Sequence, residues 1–303
     1  MKLGDLKLTT ADTELAAIRV MLASGQRPID VAGRRQRLDN LTAGYEMPAD
    51  VVVEAVDANG VGAEWTATPA ADPARVILFL HGGGYVSGSI KSHRHMIAQA
   101  GREAGTRTLA LNYRLAPEHP YPAALYDALS GYRFLLSQGY LPGNIVIAGE
   151  SAGGGLTIAT LVSLREAGTP LPACAWCSSP WTDLEMSGAT MQTKAAVDPL
   201  IQRPYLQELA AAYLQGCDPR APMVSPIYAD LRGLPPLLIQ VGSDETLLDD
   251  AIRLAGVAAA ADVRTTLQVW PHMIHAWHLF YAQLRDGRRA LTEMGAFVRA
   301  TLG

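Results

Sequence analysis

From Asn144 to Gly168 the chain reads NIVIAGESAGGGLTIATLVSLREAG, where an apolar run meets Gly149-Glu150-Ser151-Ala152-Gly153 and a helical pattern begins with no spacer. A serine on such a strand-to-helix corner has its hydroxyl lifted above the sheet edge, with the N-terminus of the next helix aimed at it. Negative charge that develops there is stabilised by the helix end. Glycine on each side removes the clash that larger neighbours would create in so sharp a turn. A phosphate loop is disfavoured, because the lysine of its motif is missing. A second glycine-rich corner follows the apolar run RVILFL: His81-Gly82-Gly83-Gly84-Tyr85. Three consecutive glycines at a strand end let backbone N–H groups approach a ligand closely. A hydroxyl nucleophile plus converging amide donors suits acyl transfer, with Ala152, just after the serine, supplying a further N–H.

Serine is a poor nucleophile at neutral pH and needs a base within hydrogen-bond reach. In the strand-turn-helix architecture that carries G-x-S-x-G the order is serine, acid, histidine. Of seven histidines, only His272, His275 and His278, in VWPHMIHAWHLF, lie far enough downstream. His81 opens the glycine loop and is suited to holding it by hydrogen bonds. His93, His95 and His119 are given no role, and their scatter does not suggest a metal site. The acid falls after the run LLIQVG, in Ser243-Asp244-Glu245-Thr246-Leu247-Leu248-Asp249-Asp250. Adjacent loop residues point in different directions, so Asp244 and Glu245 cannot both orient one imidazole. Asp249 and Asp250 suit the N-terminus of the following helix.

These groups need a scaffold. RVILFL, TRTLALNY, NIVIAG, ACAWCSS, PPLLIQVG and RTTLQVW are short apolar runs without clean alternation, as expected of strands covered on both faces. Helical stretches separate them: SHRHMIAQAGREAG, PAALYDALSGYRFLLSQG, GGGLTIATLVSLREAG, LLDDAIRLAGVAAAA and RRALTEMGAFVRATL. The alternation predicts an α/β doubly wound fold, with a mostly parallel sheet of about eight strands flanked by helices. Upstream, VVVEAVDANGVGAEWTATPA reads as an antiparallel hairpin turning at Asn59-Gly60. Residues 1–45 read helical, with Leu15, Ile18, Val20 and Leu22 near one face. Residues 184–225 are too long for a simple connection; an insertion of that size usually covers the carboxyl ends of the strands.

With 303 residues, 49% hydrophobic and 18% charged, the chain can bury a sizeable core. Its net charge of −4 is spread out, which argues against nucleic acid as a partner. No stretch has the roughly 18 uninterrupted apolar residues of a membrane span, and the N-terminus lacks a signal-peptide pattern. Three cysteines do not make a disulfide framework. Cys174 and Cys177 form a C-x-x-C within a strand, where residues three apart face opposite ways. A cytoplasmic protein is the default expectation.

HGGGYVSGS, NYRLAPEHPYPAALYDAL, GESAGGGL, SPWTDL and MIHAWHLF, in that order, make residues 50–303 resemble the hormone-sensitive-lipase group of α/β-hydrolases, bacterial esterases with an HGGG loop. The resemblance implies a helical cap from residues 1–45 and 184–225 on a catalytic domain spanning 46–303. It implies an oxyanion hole from the N–H groups of Gly83, Gly84 and Ala152. The group's M-x-H-x-(F/W) block selects His275 as base, leaving His272 and His278 as surface or packing residues. Its D-x-L-x-D acid pattern, set on Leu247 and Asp249, favours Glu245, with Asp244 as the alternative. Glu150 replaces the group's commoner aspartate and is expected to point away from the nucleophile.

The implied activity is serine carboxylesterase, acting without cofactor or metal on short- to medium-chain acyl or aryl esters or small lactones. Tyr85, Trp181 and Tyr205 are candidate substrate-binding residues, with Met186, Met191 and Tyr213 as further candidate liners. An amidase or peptidase with the same triad, or a non-catalytic small-ligand receptor on this fold, are the rival readings. The strand RTTLQVW, as an exposed sheet edge, offers a surface for homodimerisation.

Overall fold

The computed structural model describes residues 10–24 and 28–303. Two helices come first, α1 (Thr10–Ala23) and α2 (Val31–Leu41). In α1, Leu15, Ile18 and Leu22 are buried at helical spacing. Val20, expected on the same face, is 70% exposed, because position 20 lies across the helix from that stripe. The rest of the helical expectation for residues 1–45 falls partly on 1–9 and 25–27, outside the described residues.

The hairpin follows: β1 (Val52–Asp57) and β2 (Gly62–Ala67), antiparallel, with Asp57 opposite Gly62. Both Asn59 and Gly60 have positive φ, 58° and 87°, the conformation that a two-residue hairpin turn demands. The α/β alternation then runs β3 (Asp72–Leu80), α3 (Ile90–Ala104), β4 (Thr106–Leu111), α4 (Ala123–Ser137), β5 (Ile145–Glu150), α5 (Ala152–Glu166) and β6 (Cys174–Ser178). Between β6 and β7 lie a short helix, α6 (Thr190–Thr193), and the longer α7 (Arg203–Leu214). The chain closes with β7 (Leu237–Gly242), α8 (Leu248–Ala260), β8 (Thr265–Trp270) and α9 (Arg285–Leu302).

The eight strands form one sheet in the order β1-β2-β4-β3-β5-β6-β7-β8. The pairs from β4 through β8 are parallel, while β2 runs antiparallel to both its neighbours. Side chains alternate across a strand, so a strand covered twice must be apolar at consecutive positions. In β3, Val76, Leu78 and Leu80 enter the core on one face, and Ile77 and Phe79 that on the other. In β5 the same division separates Ile145 and Ile147 from Val146 and Ala148. Cys174 and Cys177 of β6 likewise join opposite cores, and burial raises both thiols to about 12. Among the described residues no helix is long and apolar enough to cross a membrane.

Candidate active site

β5 delivers Ser151 at its carboxyl end, and α5 begins with the next residue. Ser151 has φ 54° and ψ −119°, a conformation that non-glycine residues rarely adopt and that the neighbouring packing must impose. The corner is tight enough that a Cβ on Gly153 would overlap the carbonyl of Leu80, and one on Gly149 the carbonyl of Gly153. A side chain at Gly153 would push α5 away from β3, and one at Gly149 would push it away from β5. The Ser151 N–H is anchored to the Ser178 carbonyl, and the Ser151 carbonyl accepts from the N–H of Trp181. The bend is thus tied through its N–H to β6 and through its carbonyl to the segment just after β6.

His275 lies in the loop after β8 and reaches back past β7 and β6 to the end of β5. Its Nε2 is 3.0 Å from Ser151 Oγ, and its Nδ1 is 2.9 Å from Glu245 Oε2. Glu245, in the loop after β7, is fully buried. Its other oxygen, Oε1, accepts from the Gly242 N–H at 2.6 Å and the Ser179 hydroxyl at 2.7 Å. Burial pushes this carboxyl up, and the hydrogen bonds from His275, Gly242 and Ser179 act against it. Burial alone would depress the imidazole. The hydrogen bond and charge of Glu245 outweigh it, with Glu150 and Asp198 adding, and His275 is raised to about 9. Such an imidazole is a strong proton acceptor held in one tautomer.

Asp244 does something else. It pairs with Arg19 of α1 at 2.7 Å, and the same guanidinium donates to the carbonyls of Val197 and His272. One arginine thereby fastens the first helix to both segments that flank the acid and the histidine. Of the other downstream histidines, His272 is exposed. His278 is fully buried, not at the surface, with Nδ1 2.7 Å from Ser178 Oγ and Nε2 3.0 Å from Gln240 Oε1. Burial lowers it to about 3, so it is a neutral packing residue. Asp249 and Asp250 occupy the first turn of α8, and each also accepts from backbone N–H groups of the segment after β6.

The loop His81–Tyr85 lies beside the serine. Gly83 and Gly84 have φ of 113° and 65°, and neither N–H makes a hydrogen bond among the described residues. Ala152 opens α5, where a helix leaves its first N–H groups without intrahelical partners. His81 is buried and lowered to about 3 by that burial; as a neutral ring it donates from Nδ1 to the Gly82 carbonyl at 2.8 Å. Its ring stacks on Tyr113, whose hydroxyl donates to the His81 carbonyl at 2.6 Å. These contacts fix the loop's entry from β3.

Ser151, His275, Gly83 and Gly84 line a cavity of about 330 Å³, at the small end of ligand pockets. Its remaining wall is mostly apolar: Leu22, Leu38 and Leu41 from α1 and α2, and Leu200, Ile201, Tyr205, Leu206 and Leu209 from residues 200–209. Tyr205 lines it as expected, with the Arg34 guanidinium 5.2 Å from its ring. Tyr85 and Trp181 do not. Tyr85 is buried behind the glycine loop, stacked on Tyr213 with centroids 3.9 Å apart. Trp181 is fully buried with its indole N–H on the Asp183 carbonyl. Met186 and Met191 also point into the core. Sequence reasoning placed these residues near the strand ends but could not fix which way loop side chains turn. The leucines of α2 were missed for a different reason: GRRQRLDNL is too polar overall to draw attention, though Leu38 and Leu41 stand one turn apart.

Glu150 reverses an expectation. It does not point away: Oε1 is 3.4 Å from His275 Nε2, Oε2 is 3.1 Å from His93 Nε2, and the carboxylate reaches the cavity wall. In a regular strand the residue before Ser151 would face the opposite side. The positive φ at Ser151 breaks that alternation.

Residues 77–279 match the family model described as alpha/beta hydrolase fold. The chain is 50% identical over 241 residues to an acetyl-hydrolase of Streptomyces hygroscopicus, covering 80% of each chain. It is 35% identical over 299 residues to the putative acetyl-hydrolase LipR of Mycobacterium tuberculosis, covering 98% of this chain and 96% of the other. A crystal structure of an esterase from the bacterial hormone-sensitive lipase family superposes with a TM-score of 0.94 at 44% identity, over 99% of this chain and all of that one. The chain belongs to the α/β-hydrolase fold family, within the bacterial hormone-sensitive lipase group of esterases.

Proposed function

We propose that the protein is a serine carboxylesterase in which Ser151, His275 and Glu245 form the catalytic triad. The observation that carries this reading is the pair of hydrogen bonds on one imidazole, Nε2 to Ser151 Oγ at 3.0 Å and Nδ1 to Glu245 Oε2 at 2.9 Å. His275 takes the proton from Ser151 as its oxygen attacks the ester carbonyl. The N–H groups of Gly83, Gly84 and Ala152 receive the oxyanion, a contribution that falls by about 10²–10³ in turnover when one donor is lost. The imidazolium protonates the departing alkoxide, leaving an acyl-enzyme. Water, deprotonated by His275, then releases the acid. Glu245 keeps the Nδ1–H tautomer and stabilises the charged ring throughout.

Residues 1–45 and 184–225 act as the cap of a catalytic domain spanning 46–303. Their leucines close the acyl site, and a 330 Å³ cavity suits short- to medium-chain acyl or aryl esters or small lactones. The three free thiols are in keeping with a cytoplasmic location, checked by cell fractionation. β8 is an edge strand with Val269 44% exposed, which favours pairing of two copies there; a monomeric mass in solution refutes it. The function is tested by measuring turnover on graded acyl esters, small lactones and a matched anilide. Preference for short esters is expected, and hydrolysis of the anilide at a comparable rate refutes the ester assignment.

A further inference from the structure

The second residue of the serine corner is the buried acid that this mechanism leaves unused. Glu150 is 3% exposed, and a carboxylate that deep is costly unless a partner compensates it. One oxygen has such a partner in His93 on α3. That same ring nitrogen lies 3.3 Å from the Gly82 N–H, and a Cβ on Gly82 would overlap the Glu150 carboxylate. The acid is therefore wedged beneath the glycine loop. The other oxygen, Oε1, makes no hydrogen bond among the described residues. It faces His275 Nε2 at 3.4 Å, an ion-pair distance without hydrogen-bond alignment. The proton arriving from Ser151 appears on that nitrogen.

We propose that Glu150 is a positioning residue of the catalytic base, a second carboxylate on the opposite side of His275 from Glu245 that favours the imidazolium while leaving its proton free for the leaving group. The inference rests on the triad reading above. In the neutral, active ring Nε2 carries a lone pair, so a carboxylate beside it gives little; once Nε2 holds the proton, the same carboxylate faces a cation. Such a contact is stronger in the transition state than in the ground state, the condition for raising turnover. Ser151 Oγ is nearer to Nε2 and better aligned, so the Nε2–H stays directed at the serine and departing oxygens. Glu150 accepts no proton in the cycle. Packed directly against Gly82, the same acid also spaces the base from the glycine loop.

Arg34 and Arg37 of α2 stand in the wall of the same cavity as these two residues. His275 is faced by Glu245 from the loop after β7, by Asp198 from the segment between α6 and α7, and by His278, whose charge would oppose protonation. Glu150 is faced by His93, whose ring lies tilted against that of His81 with centroids 5.7 Å apart, and by the Tyr113 phenol.

The test is the pH profile of kcat/KM for a short ester with wild type, Glu150→Gln and Glu150→Asp. The base works only when neutral, so activity falls on the acid side as His275 takes a proton. Removing the charge is expected to move that acid limb down by about one pH unit and to lower the plateau kcat about tenfold, with KM unchanged. Glu150→Asp, which keeps the charge but withdraws it by one methylene, is expected to fall between. It supplies the same readout if Glu150→Gln does not fold. An acid limb that stays in place, even with a lower kcat, assigns Glu150 a packing role and overturns the proposal. A wild-type protein that hydrolyses no ester overturns the triad reading instead, so the two failures are distinct.

Discussion

Replacing Glu245 by glutamine changes one oxygen to an amide and leaves the volume alone, so the outcome depends on which way that amide turns. Glu245 Oε1 accepts two hydrogen bonds from donors with fixed positions, the Gly242 N–H at 2.6 Å and the Ser179 hydroxyl at 2.7 Å. Placing an NH₂ group there would set donor against donor in a fully buried site. The amide oxygen must take that place, which leaves the NH₂ facing His275 Nδ1 where Oε2 stood at 2.9 Å. It then donates to Nδ1 and drives the ring proton onto Nε2, the atom that must accept from Ser151. A wrong tautomer of this kind lowers kcat by about 10⁴, or about 5 kcal/mol of barrier. Asp244→Asn provides the contrast. It removes an ion pair to Arg19 whose side chains are 29% and 18% exposed. Such a pair is worth about 1 kcal/mol or less, so kcat should change by less than about fivefold. Initial rates on a short p-nitrophenyl ester, with thermal melts to check folding, decide between them. A Glu245→Gln enzyme retaining more than about a tenth of wild-type kcat refutes the tautomer argument. Collapse of Asp244→Asn with intact fold would move the acid by one residue.

A serine-directed sulfonyl fluoride or phosphonate should add its mass to Ser151 alone; peptide mapping that finds it elsewhere, or nowhere, counts against the nucleophile. The acid limb of kcat/KM should lie above the ordinary histidine value of 6.5 and towards about 9, because the charged ring is stabilised by its carboxylates and activity requires the neutral one. A midpoint below 6.5 contradicts that arrangement. Leu38→Ala or Leu41→Ala should enlarge the cavity and shift relative kcat/KM towards longer acyl chains, by about tenfold or more per fitted methylene. Turnover of the smallest ester should be nearly unchanged, and an unaltered chain-length profile would remove α2 from the acyl site. Gly153→Ala should destabilise the fold by about 1–3 kcal/mol, since its new methyl would overlap the Leu80 carbonyl, and a chemical melt measures it.

What could be read from the sequence was whatever local pattern dictates. Residues 76–80 of β3 and 145–148 of β5 are recognisable because strand segments buried on two faces must be apolar at consecutive positions, and Asn59-Gly60 because both residues need positive φ. The serine corner follows from strand and helix meeting without a spacer. Side-chain direction in irregular backbone was not legible. Tyr85, Trp181 and Glu150 all sit at strand ends where alternation stops, and all three turn opposite to expectation. Val20 was misplaced by counting apolar residues rather than their angles around α1. Choosing between Asp244 and Glu245 depended on register alone until Arg19, 225 positions away, was seen to occupy one of them.

That arginine has a wider consequence. A guanidinium on the first helix grips Asp244, the Val197 carbonyl and the His272 carbonyl together, so the two loops bearing the acid and the base share a fastener that belongs to neither. Detaching some twenty N-terminal amino acids would leave every reacting atom in the chain yet free both loops to drift. On warming, loss of that rim clasp should show as falling turnover before the pleated interior begins to melt.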